Sequence, residues 1–170
     1  MSKIKDYFIQ DNDPEDDYQI LHQEAANVNI RLYLNNSDYR RIIYHVITYM
    51  EIILKRFPEL SGISAPTIGF PFKIIGIKEI KGIKEEVKFL FNPVITNKSN
   101  IKNRVQSNCA SVKDKADVQR FDWITIEFHN TKGQKQQWPD IRGKTSNVLQ
   151  HEIHHIEGIV ITDLDTTKGK

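Results

Sequence analysis

Near the C-terminus of this 170-residue chain, one run of residues carries two patterns at once. Leu149, Ile153 and Ile156 recur at the three- and four-residue spacing of a helical face, while His151, Glu152 and His155 match H-E-x-x-H. Residues four apart lie one turn along the same face, so the two imidazoles can converge on one metal ion with Glu152 beside it as a base. A chain with this helix must bury one side of it in a core and open the other onto a space that an ion and a substrate can enter. The plain alternative is a solvated polar helix face. Thr145 or Ser146 as the cap and Gly158 as the stop set the predicted helix at 145–157.

A catalytic site of the zinc type takes three protein ligands and keeps a position for water. The residues after His155 hold no third histidine at the metzincin spacing. Cys109, the one cysteine, is chemically the strongest third ligand, because a thiolate suits zinc, iron or cobalt. Composition alone favours reading it as a small buried hydrophobe. A single cysteine also excludes an intramolecular disulfide framework, and with it the simplest argument for an oxidising compartment. Lys and Arg total 24 against 22 Asp and Glu, a net charge of +2 that is too balanced for a phosphate-tracking surface, so no specific nucleic-acid partner is expected. No run approaches the ~18 apolar residues of a membrane span, and the N-terminus is acidic where a signal peptide would be apolar. The expectation is a cytoplasmic monomer with no membrane partner.

The first stretch, 1–36, is polar and reads as a loosely attached N-terminal arm. From Ser37, apolar residues from Tyr39 to Phe57 recur at helical spacing, with Ser37 or Asp38 as the cap and Pro58 as the stop. The small-residue run 61–69 is too irregular for helix or strand. Segments 72–78, 87–95, 123–128 and 134–138 carry strand patterns, with turns at Lys81-Gly82 and at 130–133. The predicted fold class is α+β, with antiparallel sheets packed around the C-terminal helix, in one domain at 37–165 followed by a polar tail at 166–170.

Three stretches carry a resemblance to a known family: Gly62-Ile63-Ser64-Ala65-Pro66-Thr67-Ile68-Gly69, Ser107-Asn108-Cys109-Ala110-Ser111, and Gln150-His151-Glu152-Ile153-His154-His155. In order and spacing they resemble the Gly-Leu-Ala-Ala-Pro-Gln-Ile-Gly, Glu-Gly-Cys-Leu-Ser and Gln-His-Glu-x-x-His motifs of the peptide deformylases. These are metal-dependent hydrolases that remove the formyl group from N-terminal methionine. Asn92-Pro93 and the segment 119–126 extend the likeness over 39–163. The resemblance implies that Cys109, His151 and His155 bind one divalent ion, iron(II) or zinc first and nickel or cobalt as alternatives. It implies that Glu152 is the base and acid, that Ala110 N–H and the residue at Thr67 face the oxyanion, and that Gly62, Ile63 and Arg120 contact a formylated peptide. A structural ion pair is an equal reading of Arg120.

The chain departs from the family pattern at positions close to the chemistry. Thr67 stands where the family has Gln, a longer donor, and one missing oxyanion donor costs on the order of 10²- to 10³-fold in turnover. Ser107 and Asn108 replace Glu and Gly, removing a carboxylate from the site's support. Ala110 replaces Leu and takes apolar bulk from the pocket, and His154 replaces the usual Asp on what reads as the outer helix face. The expectation is therefore a metal-dependent amide hydrolase of reduced activity. Its alternative is a catalytically weak or inactive metal-binding protein that holds peptide N-termini or another N-acyl ligand. His22, His45 and His129 read as ordinary polar residues, and the Lys/Glu mixture at 78–88 as a solvated surface.

Overall fold

The computed structural model of the chain describes residues 4–11, 16–81 and 84–167. Its main sheet is antiparallel and five-stranded, in the order β1 (Gly62–Ser64), β2 (Ile74–Lys81), β3 (Lys84–Lys98), β6 (Trp123–His129) and β7 (Lys135–Arg142). Successive side chains of a strand point to opposite faces, so Ile74 joins the core around α3 (Ser37–Arg56) while Ile75 and Ile77 join the core around α4 (Gly143–Ile156). The two long helices thus cover opposite faces of one sheet. Leu149, Ile153 and Ile156 of α4 are at most 1% exposed, and burial of each contributes about 1.5–3 kcal/mol. The α+β expectation with a C-terminal helix against antiparallel sheet holds.

Several boundaries differ from the sequence reading, each for a local reason. Helix α3 is capped by Asn36, whose Oδ1 accepts from Tyr39 N–H at 2.8 Å, and not by Ser37 or Asp38. The short α2 (Ile30–Asn35) ends immediately before Asn36 and leaves that residue extended, which is the conformation a cap needs. Helix α4 begins at Gly143 with no side-chain cap, because Ser146 is buried and accepts instead from Gln150 Nε2 at 2.9 Å. Gly158 ends it as expected: its φ is +76°, and a Cβ there would lie 2.7 Å from the backbone of Gln23. Pro139 lies inside β7, which is tolerated because β7 is an edge strand. Asn92, at φ 51°, breaks the register of β3, and its amide both accepts from Val28 N–H and donates to Val28 C=O. Of the predicted Lys81-Gly82 turn, Gly82 lies outside the described residues.

The strands of the second sheet were not foreseen. Strands β4 (Lys102–Ser107) and β5 (Ala116–Phe121) pair antiparallel, and the connection 108–115 between them carries Cys109. Most of β4 is exposed and its residues Lys-Asn-Arg-Val-Gln-Ser show no apolar alternation, so nothing marked it as a strand. The N-terminal stretch also differs from the expected loose arm. Ile9 N–H donates to Thr67 C=O at 2.9 Å, Asp11 N–H donates to Ser111 C=O at 2.8 Å, and Leu21 of α1 (Asp16–His22) is fully buried. Residues 8–11 therefore tie together the first two of the three motif stretches. At the other end, Thr166 donates to Asp117 C=O through both N–H and Oγ1, while 168–170 of the expected tail lie outside the described residues.

Candidate metal centre

Helix α4 brings His151 and His155 onto one face, and the 108–115 connection folds back to set Cys109 against them. Cys109 Sγ lies 3.3 Å from His155 Nε2, which lies 3.1 Å from His151 Nε2, and the three ligand atoms all fall within 4.8 Å of one another. The helix is held in place by Gln150, one residue before His151. Its Oε1 accepts from Phe121 N–H at 2.8 Å and its Nε2 donates to Phe121 C=O at 3.0 Å, so the side chain extends the β5 backbone ladder into the helix. On the loop side, Ser111 N–H donates to Cys109 Sγ at 3.4 Å. Ser107 Oγ lies 3.3 Å from His151 Nδ1, where it can accept the proton that leaves Nε2 free to ligate.

Electrostatics favours a divalent cation at this point. Burial, and then the charge of neighbouring groups, drives His151 well below the ordinary imidazole range and His155 down to about 3, so both rings are neutral at pH 7. Burial pushes the Cys109 thiol up to about 12, with Glu152 adding to it against the Ser111 and Val112 N–H groups. A soft thiol sulfur and two neutral imidazole nitrogens facing one point form a donor set that a cation satisfies. The positive charge is also what a thiolate needs in such surroundings. Burial likewise raises the Glu152 carboxyl to about 8, against the pull of the Ser64 hydroxyl and Arg120. Glu152 is 6% exposed and borders the same cavity as Cys109, His151 and His155.

That cavity has a volume of about 810 Å³. Gly62, Ile63, Thr67, Cys109 and Ala110 all border it, so the structure gathers these expected site residues around one space. Gly62 is required there by proximity: a Cβ would sit 2.6 Å from Val148 and 3.1 Å from the Glu152 side chain. Two expectations need correction. Thr67 is 2% exposed and its Oγ1 donates to Ser64 C=O at 2.7 Å, so its one hydroxyl proton is turned away from the cavity. Arg120 is 1% exposed and does not border the cavity; its Nη1 donates to His154 Nδ1 at 2.6 Å, behind the metal ligands. His154 is accordingly half-buried and not on an outer face, and burial, with Arg120 next, lowers it to about 4. Arg120 Nη2 is buried with no hydrogen-bond partner among the described residues.

The sequence reading missed the arm's part in the site. Ile4 and Phe8 border the cavity, and Gln10 Nε2 donates to Ala110 C=O at 3.2 Å. It also missed Lys144 and Asn147, although their places three and four residues apart ahead of His151 were a visible helical signal. No helix among the described residues is long and apolar enough to cross a membrane.

Comparison with known proteins bears on this geometry. The family model for polypeptide deformylase matches residues 8–169. A peptide deformylase of Pelagibacter ubique is 33% identical over 104 residues, a match that spans 60% of each protein. One from Levilactobacillus brevis is 29% identical, over 96% of this chain and 90% of that protein. Among solved structures, a class I type b peptide deformylase from Acinetobacter baumannii superimposes with a TM-score of 0.77 at 19% identity, covering 93% of this chain and 97% of that one. The same Acinetobacter protein has been crystallised with Met-Ala-Ser bound. A probable peptide deformylase from a Synechococcus phage gives a TM-score of 0.72 at 24% identity, over 92% and 97% of the two chains.

Proposed function

Since the chain belongs to the peptide deformylase family, we propose that it is a metal-dependent amide hydrolase that removes the N-formyl group from the N-terminal methionine of peptides. The observation that carries the proposal is the convergence of Cys109, His151 and His155 within 4.8 Å beside the buried carboxyl of Glu152, on a cavity of about 810 Å³. Cys109, His151 and His155 would hold one divalent ion, iron(II) or zinc with nickel and cobalt also accepted, and that ion would supply Lewis acidity and lower the pKa of water toward ~7. Glu152 takes the proton of the attacking water and passes it to the leaving amine. Ala110 N–H faces the oxyanion, and Gln10, through the Ala110 carbonyl, steadies the loop that presents it. Gly62 and Ile63 offer the free edge of β1 to the peptide backbone. Arg120 acts behind the site through His154.

One observation favours a second reading, a weak or inactive metal-binding protein that holds peptide N-termini: Thr67 commits its hydroxyl to Ser64 and donates nothing to the cavity. The proposal takes the protein as a cytoplasmic monomer. The deciding measurement is formate release from formyl-Met-Ala-Ser together with metal stoichiometry, for the native chain and for Cys109→Ser. Turnover that needs one bound ion per chain and disappears with Cys109→Ser is expected. A full metal site that releases no formate would sink the hydrolase reading and leave the second.

A further inference from the structure

Helix α3 carries apolar residues on two faces. Ile43, Met50, Ile53 and Leu54 are fully buried in the core around Ile74 and Phe91. A separate row, Asp38, Ile42, His45, Tyr49, Ile52 and Arg56, follows the alternating four- and three-residue spacing of a coiled-coil seam. A helix that covers one face of a sheet is expected to turn polar side chains away from it. Here Ile42 and Ile52 are instead 52% and 53% exposed, His45 is exposed and Tyr49 is half-buried. The Phe70 ring widens the row, its centroid 6.4 Å from that of His45 and 6.3 Å from that of Tyr49. One exposed isoleucine is ordinary, whereas two of them with two rings between, all in one register, make a continuous patch of the kind that interfaces use.

The row is complementary to itself. Ile42 and Ile52 lie equally far on either side of Ile47, as do His45 and Tyr49, and as do Asp38 and Arg56 at the ends. Two copies of α3 packed antiparallel about a two-fold axis level with Ile47 therefore set Ile42 against Ile52 of the second copy, His45 against Tyr49, and Asp38 against Arg56, each contact occurring twice. A parallel pair would oppose Asp38 to Asp38 and Arg56 to Arg56, so the charges select the antiparallel arrangement. Arg41 and Lys55 approach one another across such a pair, but each already has a carboxylate of its own helix, Asp38 at 3.3 Å and Glu51 at 2.5 Å. With two oxygens, Asp38 can accept from Arg41 and from Arg56 of the second copy together. The Tyr7 ring, 5.3 Å from Arg56 Cζ, holds that side chain at the end of the row. From Asp38 to Arg56 the row spans about 27 Å at ~1.5 Å per residue. Two such faces with Phe70 beside them bury on the order of 1,000 Å² in total, the low end for a specific interface.

We infer that α3 is a self-association surface: two copies of the chain pair antiparallel along Ile42, His45, Tyr49 and Ile52, with an Asp38–Arg56 pair closing each end. None of these six residues borders the cavity of the metal centre, so pairing and hydrolysis are separate properties and the failure of either leaves the other standing. At the dilution of a rate assay the chain is the monomer proposed above, and pairing sets in on the order of 100 µM, as suits a small interface. The test is sedimentation equilibrium of the full chain from ~5 µM to ~1 mM, a range that brackets that affinity. The average mass is expected to rise from one chain toward two. Ile42→Lys should lower the association constant about 100-fold, because the two-fold axis counts each substitution twice, and Ile52→Lys, the other half of the same contact, should match it. Asp38→Arg and Arg56→Asp should each lower it about tenfold. Mixed in equal amounts, these last two variants set arginine against aspartate at both ends of the seam, and association is expected to return to the native level. A single chain's mass across the whole range overturns the inference and leaves the row to a different protein. Dimerisation that both lysine variants leave intact overturns it too, as does a mixture that associates no better than its components.

Discussion

The hydrolytic side of the cavity and its carbonyl-polarising side have been held to different standards. On the first side, Cys109, His151, His155 and Glu152 match the family pattern, and α4 is fixed by a buried apolar face and by the Gln150 clamp onto Phe121. On the second, Thr67 has turned inward to Ser64, and the proposed reaction would leave the oxyanion to the Ala110 backbone on a loop steadied by Gln10. On the proposed reading, the difference teaches that side chains converging on one cation are constrained in kind, whereas a hydrogen-bond donor aimed at a transition state can be lost without disturbing the fold.

The largest effect should come from the hydrolytic side. Glu152→Ala is expected to cut formate release by about 10²- to 10⁴-fold while the metal stays bound. Retained turnover with full metal occupancy would break the comparison at its stronger end. On the weaker side, Thr67→Gln restores a donor long enough to reach the cavity and should raise kcat by about 10²-fold with little change in KM. A kcat that does not rise would show that the loop, and not the donor, sets the limit. Between the two lies Ser107, the partner of His151 Nδ1. Ser107→Ala should weaken metal affinity about tenfold in a chelator competition, and Ser107→Glu should strengthen it, while the order of affinities among metals stays as it was.

The smallest effect concerns the support behind the ligands. His154→Asp would give the buried Arg120 guanidinium a carboxylate partner in place of a neutral ring, and about 1–3 kcal/mol of added stability is expected from thermal unfolding at pH 7. Its pH dependence has a definite sign. The folded His154 is lowered to about 4, so it refuses a proton that the unfolded chain binds near 6.5. The native protein therefore loses this share of stability as pH falls from 6.5 toward 4, and His154→Asp removes that loss. Parallel stability profiles for the two proteins across that window would show that His154 and Arg120 are not coupled.

How much of this was readable in the sequence depends on whether the signal was local. The α3 and α4 stripes, the Gly158 stop and the alternation at 123–128 announced themselves through periodicity, because helix and strand geometry impose it on neighbouring residues. Strand β4 did not, since its exposed polar residues need no apolar face, and its pairing with β5 is a long-range choice. The N-terminal stretch looked like an arm because its few apolar residues, Phe8 and Leu21 among them, follow no period. Their burial comes from partners distant in the chain.

The site divides in the same way. The sequence by itself named the proposed ligand set and base, because H-E-x-x-H spacing is a property of one helix and the resemblance in motif order brought Cys109 with it. Only the tertiary structure decided where hydrogen-bonding protons point and which walls a substrate meets. The Thr67 hydroxyl bonds back to Ser64, Arg120 lies behind His154 and not in the cavity, and Lys144 and Asn147 continue the face that carries the metal ligands. Those outcomes turn on contacts between segments far apart in the chain, where packing fixes direction and local spacing does not reach.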